Sequence, residues 1–190
     1  MRFAKLLGRR MRPLDRMRRD EDGASTVEFV LVFPIFITLV LTVFEAGWLM
    51  SKSMFLDRGL EIAMRDVRLG DLPETEVEAA IKSRICNNAL LLRDCNNVLV
   101  LEMKPIVNSA SFPSDDADCV ERTTGSGGEL GYVKPQSDFN PGGRSELMFV
   151  RACVLIDPIF PGIGLGLQLP KDSSGAVQMT AMSAFINEPE

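Results

Sequence analysis

From Phe29 to Phe44 sixteen consecutive residues pass without a charge, and continuing through Glu45 to Met50 extends the apolar stretch to 22 residues. As a helix rising about 1.5 Å per residue it would be about 33 Å long, against a bilayer hydrocarbon core of about 30 Å. The length predicts a membrane-crossing helix. Two carboxylates complicate that reading, because Glu28 stands at its mouth and Glu45 lies inside it. A carboxylate at the bilayer centre costs about 2.5–3.5 kcal/mol even on the most lenient scale, so each needs a reason to be there. Pro34 is compatible with such a helix, since neighbouring groups can satisfy the carbonyl it frees; a kink or loosened turn is expected there.

Charge gives the segment a direction. Residues 1–23 carry eight basic side chains (Arg2, Lys5, Arg9, Arg10, Arg12, Arg16, Arg18 and Arg19) against four acids, a net +4, so the total of −5 leaves −9 for the rest of the chain. A basic arm before an apolar run and an acidic body after it predict a cytoplasmic N-terminus and an exported C-terminal body. Nucleic-acid binding would need a basic folded face, and the body, with a net charge of −9, offers none. The sequence has no histidine, which removes the commonest general base and metal ligand. Its four cysteines, Cys86, Cys95, Cys119 and Cys153, contain no C-x-x-C pair, which argues against a zinc site. An even number of cysteines in an oxidising compartment reads as two disulfides.

An ordinary cleaved signal peptide fits poorly. Small residues should occupy an A-x-A arrangement at the cut, but cutting after Ala46 puts Phe44 at the −3 position and cutting after Gly47 puts Glu45 there. The Arg9-Arg10 and Arg18-Arg19 pairs suggest a twin-arginine signal only weakly, because Asp20, Glu21 and Asp22 separate them from the apolar run.

The stretch Gly23-Ala24-Ser25-Thr26-Val27-Glu28-Phe29 instead resembles the processing site of type IV-related pilins, which a membrane peptidase cuts after the glycine. Glu28 would then be the fifth mature residue, the family's characteristic glutamate position. Val27-Glu28-Phe29, Pro34, Glu45-x-Gly47 and Ala63-x-Arg65-x-x-Arg68 together are similar to the TadE-like family, minor pilins or pseudopilins of the tight-adherence (Flp) pilus system. The closing Asn187-Glu188-Pro189 also looks like the tail of many TadE-like proteins. The resemblance covers roughly residues 23–68. It implies an inner-membrane, periplasm-facing, non-enzymatic protein, matured by a prepilin peptidase and working with other pilins and membrane components of the assembly machine. Gly23 and Ala24 would flank the cut, and the new amine on Ala24 would pair with Glu28 of a neighbouring subunit. A charge with a partner is far cheaper to bury than one alone; Glu28 would equally suit the positive end of its own helix. Glu45 has two readings. It either snorkels to the outer interface beside Trp48, or joins Gly47 in a helix-to-helix contact within the membrane complex.

Beyond Met50 the helix pattern becomes amphipathic and stops at Gly70. A second helix is signalled by Pro73 and a capping box over Thr75-Glu76-Val77-Glu78, running to about Cys86. Strand patterns follow at Val98–Met103, Leu147–Ile156 and Ala176–Ile186. In the middle one Met148, Val150, Ala152, Val154 and Ile156 share one face, suited to lying on a helix. Residues 107–146 are rich in Ser, Gly, Asp and Pro and are expected to form a long mobile loop. The organisation is thus a leader over residues 1–23, a transmembrane segment over 24–50 and a periplasmic domain over 51–190. The fold class is α+β, a long membrane helix continuing into a body with a second helix and a small antiparallel sheet of about three strands.

Three cysteine pairings are open. Cys86–Cys95 needs only a short turn between the second helix and the first strand, and Cys119–Cys153 would staple the long loop to the central strand; Cys86–Cys119 with Cys95–Cys153 is the alternative. Ser114-Asp115-Asp116-Ala117-Asp118 lacks the ligand spacing of an EF-hand. Pro161-Gly162-Ile163-Gly164-Leu165-Gly166 has neither the spacing nor the context of a dinucleotide site and reads as an apolar glycine loop between strands. No nucleophile–base pair, metal cluster or phosphate cradle is visible, so no cofactor or metal is expected. The competing readings are an uncleaved, signal-anchored periplasmic binding protein and a pseudopilin of a type II secretion system; the Glu45-x-Gly47 and Ala63-x-Arg65-x-x-Arg68 motifs favour the tight-adherence type.

Overall fold

The computed structural model describes residues 22–70, 73, 75–108, 111–113, 117–124, 130–136, 138–143 and 145–187. The basic arm, residues 114–116 and 125–129 of the central interval, and Glu188-Pro189 of the closing motif lie outside the described residues. The first element, α1, is one helix from Asp22 to Arg68, 47 residues long. Helix α1 continues through Pro34. Thr38 donates its hydroxyl to the Pro34 carbonyl at 2.6 Å and Thr42 to that of Thr38 at 2.7 Å. The helix stops where expected. Gly70 takes φ +67° and its N–H bonds the Val67 carbonyl at 3.2 Å, a left-handed exit that glycine makes without a Cβ clash.

The two halves of α1 live in different surroundings. Between Val27 and Phe44 large apolar side chains are exposed on every side. From Leu56 onward burial narrows to one stripe, Leu56, Leu60, Ala63 and Met64, with the spacing of a helix facing a core. Helix α2, Val77–Asn88, crosses this stripe and buries Ile81 and Ile85. A Cβ on Gly59 would stand 2.8 Å from the Ile85 carbonyl oxygen, so the crossing depends on a glycine there. Asp66 and Arg84 pair across it at 3.3 Å. The expected capping box does not form. Glu76, in the left-handed region at φ 59°, is the N-cap without a side-chain hydrogen bond, and Glu78 pairs with Lys82 one turn on.

A short helix α3, Cys95–Val98, occupies the position where the first strand was expected to begin, so β1 starts two residues later and spans Val100–Pro105. Strands β4, Leu147–Ile156, and β5, Val177–Ile186, match the sequence pattern closely. The sheet order is β1-β4-β5, antiparallel throughout, with Val100 opposite Cys153 and Ile156 opposite Val177. The fold is α+β: a long apolar helix at the N-terminal end, further helices, and a three-stranded antiparallel sheet.

The largest departure lies in residues 107–146. The expected long loop instead holds a second sheet, β2 (Glu121–Thr124) paired with β3 (Leu130–Val133). This interval covers the far face of β4. Every residue of β4 except Leu147 is buried, not only the alternate set from Met148 to Ile156. Phe112 packs on Phe149 with ring centroids 4.9 Å apart. Residues 138–140 also close the edge of β1: the Met103 N–H bonds Asp138 O at 3.0 Å and the Asn140 N–H bonds Met103 O at 2.7 Å. Arg151, 5% exposed, sits on the covered face and donates from Nε to Glu102 at 2.8 Å. Such a buried charge is tolerable because its partner stands directly across the strands.

Two disulfides brace this body, Cys86–Cys95 with a Cα separation of 5.6 Å and Cys119–Cys153 with 5.3 Å. The first ties α2 to α3; the second fastens the covering segment to β4. Chain-entropy reasoning gives the longer loop the larger effect. Replacing Cys119 and Cys153 together by alanine should lower stability by about 3–4 kcal/mol, and Cys86 with Cys95 by about 2–3 kcal/mol. Denaturant midpoints of the two variants measure this, and peptide mapping without reduction should link Cys86 only to Cys95. A Cys86 peptide joined to Cys119 would contradict the arrangement.

Candidate functional site

The candidate residues are distributed along α1. Gly23 and Ala24 lie in its first turn, and Glu28 stands exposed about one turn further on. Phe29 and Phe33 follow, stacked with centroids 4.9 Å apart. The structure thus sets the carboxylate at one end of a helix whose next sixteen positions carry no charge. Arg65 and Arg68, at the other end, are exposed; Arg68 lies 5.7 Å from the Phe185 ring centroid and donates to Ala184 O at 3.4 Å. Arg68 therefore touches β5. Ala63 of the same motif is fully buried in the core.

Glu45 is where sequence and structure differ most. The residue is 1% exposed, and both carboxylate oxygens are engaged by its own chain. Oε1 accepts the Ile159 N–H at 3.0 Å and Oε2 accepts the Phe160 N–H at 3.0 Å. Within the chain the carboxylate thus points into the protein rather than outward to an interface. The acceptor serves a segment, Pro158–Pro170, that leaves β4, folds back along α1 and returns to β5. Within it a short helix α4, Gly164–Gln168, rests against α1. The approach is close enough that a Cβ on Gly164 would overlap the Thr42 hydroxyl, and Gly164 has φ +56° besides. Gly47 is exposed, with open space where a side chain would project. The sequence did carry a signal for this contact. Residues 158–170 hold no charge, and an uncharged strand connection needs something apolar to lie on.

Beside Glu45 the helix, the β4–β5 connection and the covering sheet border an open pocket of about 490 Å³, lined in part by Trp48, Lys52, Arg93, Arg122, Tyr132 and Asp157. Lys52 Nζ lies 5.3 Å from the Trp48 ring centroid. Arg122, its side chain 10% exposed, pairs with Asp157 through one terminal nitrogen. This hydrogen bond holds the guanidinium above its ordinary pKa against the opposing pull of burial. Beyond Lys171, Asp172 caps the turn into β5. Burial works to raise its pKa, but hydrogen bonds from the Ser174 hydroxyl and from the Ala176 and Ser174 N–H groups hold it below the ordinary carboxylate value. Among the described residues no group of three or more His, Cys, Asp or Glu is placed to hold a metal ion.

Two buried N–H groups depend on one carboxylate, and each left without an acceptor costs about 1–3 kcal/mol. Glu45→Ala should therefore release residues 158–170 from α1. Hydrogen exchange at the Ile159 and Phe160 amides should accelerate by at least the factor of ten that 1.4 kcal/mol represents, while β4 amides such as Val150 stay protected. Unchanged exchange at Ile159 and Phe160 would show that the carboxylate does not hold the segment.

Glu28, Pro34, Glu45, Gly47 and Ala63 all lie on one helix that is long and apolar enough to cross a membrane. No curated protein and no solved structure matches the chain. Residues 23–65, nearly the whole of α1, are similar to the family model described as TadE-like protein.

Proposed function

We propose that this chain is a component of tight-adherence pilus assembly, a minor pilin or pseudopilin anchored by α1 and matured by a prepilin peptidase. The observation that carries this is the TadE-like match over residues 23–65, which begins at Gly23 and includes Glu28 at the head of the apolar run. In this reading residues 1–23 are a cytoplasmic leader, residues 24–50 cross the inner membrane, and the disulfide-braced body faces the periplasm. The charge asymmetry supports the orientation, and two disulfides suit an oxidising compartment. The partners are the peptidase, other pilins and the membrane components of the assembly machine; the chain acts as a substrate and a structural part.

The chemistry assigned to Glu28 follows from its surroundings. Cleavage after Gly23 would create a cationic amine on Ala24, and an exposed carboxylate at the membrane boundary can pair with such an amine on an adjacent subunit. Pairing lowers the cost of keeping both charges near lipid.

Two outcomes test the proposal. The mature protein extracted from membranes should begin at Ala24 by mass spectrometry, and Gly23→Leu should accumulate as a precursor that keeps the basic arm. A native protein retaining residues 1–23 in the presence of active prepilin peptidase would leave a signal-anchored protein as the better description. Glu28→Ala should insert into the membrane normally, since the change makes the span more apolar, yet leave cells without pili when it is the sole copy. Normal piliation would show that Glu28 does not dock subunits.

A further inference from the structure

We propose that Pro158–Pro170 is a second membrane contact, an apolar loop that lies among the acyl chains of the leaflet next to the folded body, packed on α1 and fastened by Glu45. The inference rests on the reading of α1 as a membrane helix, and on nothing else in the proposed function.

The first argument is composition joined to exposure. The thirteen residues Pro158-Ile-Phe-Pro-Gly-Ile-Gly-Leu-Gly-Leu-Gln-Leu-Pro170 carry no charge, and Ile159, Ile163 and Leu167 expose 41%, 45% and 63% of their surface. Charged residues stand directly at both ends, Asp157 and Lys171. A loop that faced water would have little reason to hold three large aliphatic side chains outward while confining its charges to its base. Apolar patches of this kind mark an interaction surface.

Depth is the second argument, and it names the occupant. Gly164 touches Thr42, which lies inside the charge-free run, six residues before Trp48. At the helical rise that places the contact about 9 Å below the tryptophan along the axis, and Trp favours the membrane–water boundary. Amphipathic elements lying in a bilayer surface bury their apolar side about 5–10 Å deep. The loop thus lies against the stretch of α1 in which Leu39 and Val43 are exposed, and lipid covers both.

The third argument is polar satisfaction. Non-helical backbone at membrane depth is tolerated only where protein covers it or where it lines a water-filled cavity, and part of this loop's backbone is bonded within the protein. Pro158, Pro161 and Pro170 have no N–H to satisfy. Glu45 takes the N–H groups of Ile159 and Phe160; Ile163 bonds Phe160 O at 3.3 Å and Leu169 bonds Leu165 O at 3.2 Å. Lys171 closes the base by donating Nζ to Pro161 O at 2.7 Å. A carboxylate inside an apolar helix thereby acquires a purpose: it supplies two acceptors where water cannot.

The test uses the full chain in phospholipid vesicles. With Trp48→Phe as background, a single tryptophan is introduced as Ile163→Trp, Leu167→Trp, Phe36→Trp within the charge-free run, or Met182→Trp on exposed β5. Quenching is measured with lipids brominated on the acyl chain close to the headgroup. Ile163→Trp and Leu167→Trp should emit at shorter wavelength and be quenched several-fold more strongly than Met182→Trp. If both behave like Met182→Trp while Phe36→Trp reports hydrocarbon, the proposal is overturned and the membrane helix stands. Blue-shifted emission at 163 and 167 without bromolipid quenching overturns it too, because protein rather than lipid then covers the patch. A water-exposed Phe36→Trp overturns the membrane reading itself and the proposal with it. Intact Cys86–Cys95 and Cys119–Cys153 linkages in each variant establish that the body remains folded.

Discussion

The carboxylate of Glu45 accepts two backbone N–H groups from a segment more than one hundred residues away in sequence, and the relation between helix and body turns on that contact. One oxygen each for Ile159 and Phe160 fixes the start of the β4–β5 connection against α1. The helix itself enters the core only from Leu49 onward, where apolar residues pack against α2 and the sheet. Besides this contact, the body meets the apolar half of α1 only where α4 packs near Thr42 and through the continuity of the helix. A charged acceptor is worth more than a neutral one in this setting, which accounts for glutamate at a position where a helix in lipid would otherwise carry leucine or valine.

Around that contact the protein solves two problems with one helix. Its N-terminal half is apolar on all sides and its C-terminal half on one side only, and the change falls between Phe44 and Leu56. Glu45, Trp48 and Lys52 occupy this transition. Each has both a long apolar portion and a polar end, the character that suits a boundary between media. The body beyond it is small and has few aromatic residues, so two disulfides and full burial of β4 supply the rigidity that ring packing would give elsewhere.

Much of this was legible in the residues. The charge-free run located α1, Gly70 its end, and predominantly apolar strand patterns placed β4 and β5 nearly to the residue. Where reading failed, the physical cause is identifiable. Strands β2 and β3 have four residues each, and Glu121-Arg122-Thr123-Thr124 has no apolar alternation to announce it; its order comes from covering the sheet beside the Cys119–Cys153 link. The start of β1 was misjudged because Val98 is apolar in either structure, and only the turn set by Asp94 in the left-handed region decides for a helix there. The capping box at Thr75 is absent because the helix starts one residue later, with Glu76 as its N-cap. Glu45 is the instructive case. Its neighbours in sequence suggested lipid or a second helix, while its partners lay beyond β4, a long-range contact that no local pattern encodes.

The lipid-facing loop bears on how long such a chain stays where it is inserted. A bare helix leaves a bilayer by sliding along its axis, and the work is set by its own apolar length. With Ile159, Ile163 and Leu167 also among acyl chains, removal must strip a lateral footprint as well. Discounting the usual value for full burial of such side chains by about half, because each is already partly covered, gives about 2–5 kcal/mol of added work. At 1.4 kcal/mol per tenfold, this lengthens residence in the bilayer by roughly thirty-fold to a few thousand-fold. A chain held this way stays in the bilayer longer than one anchored by its helix alone.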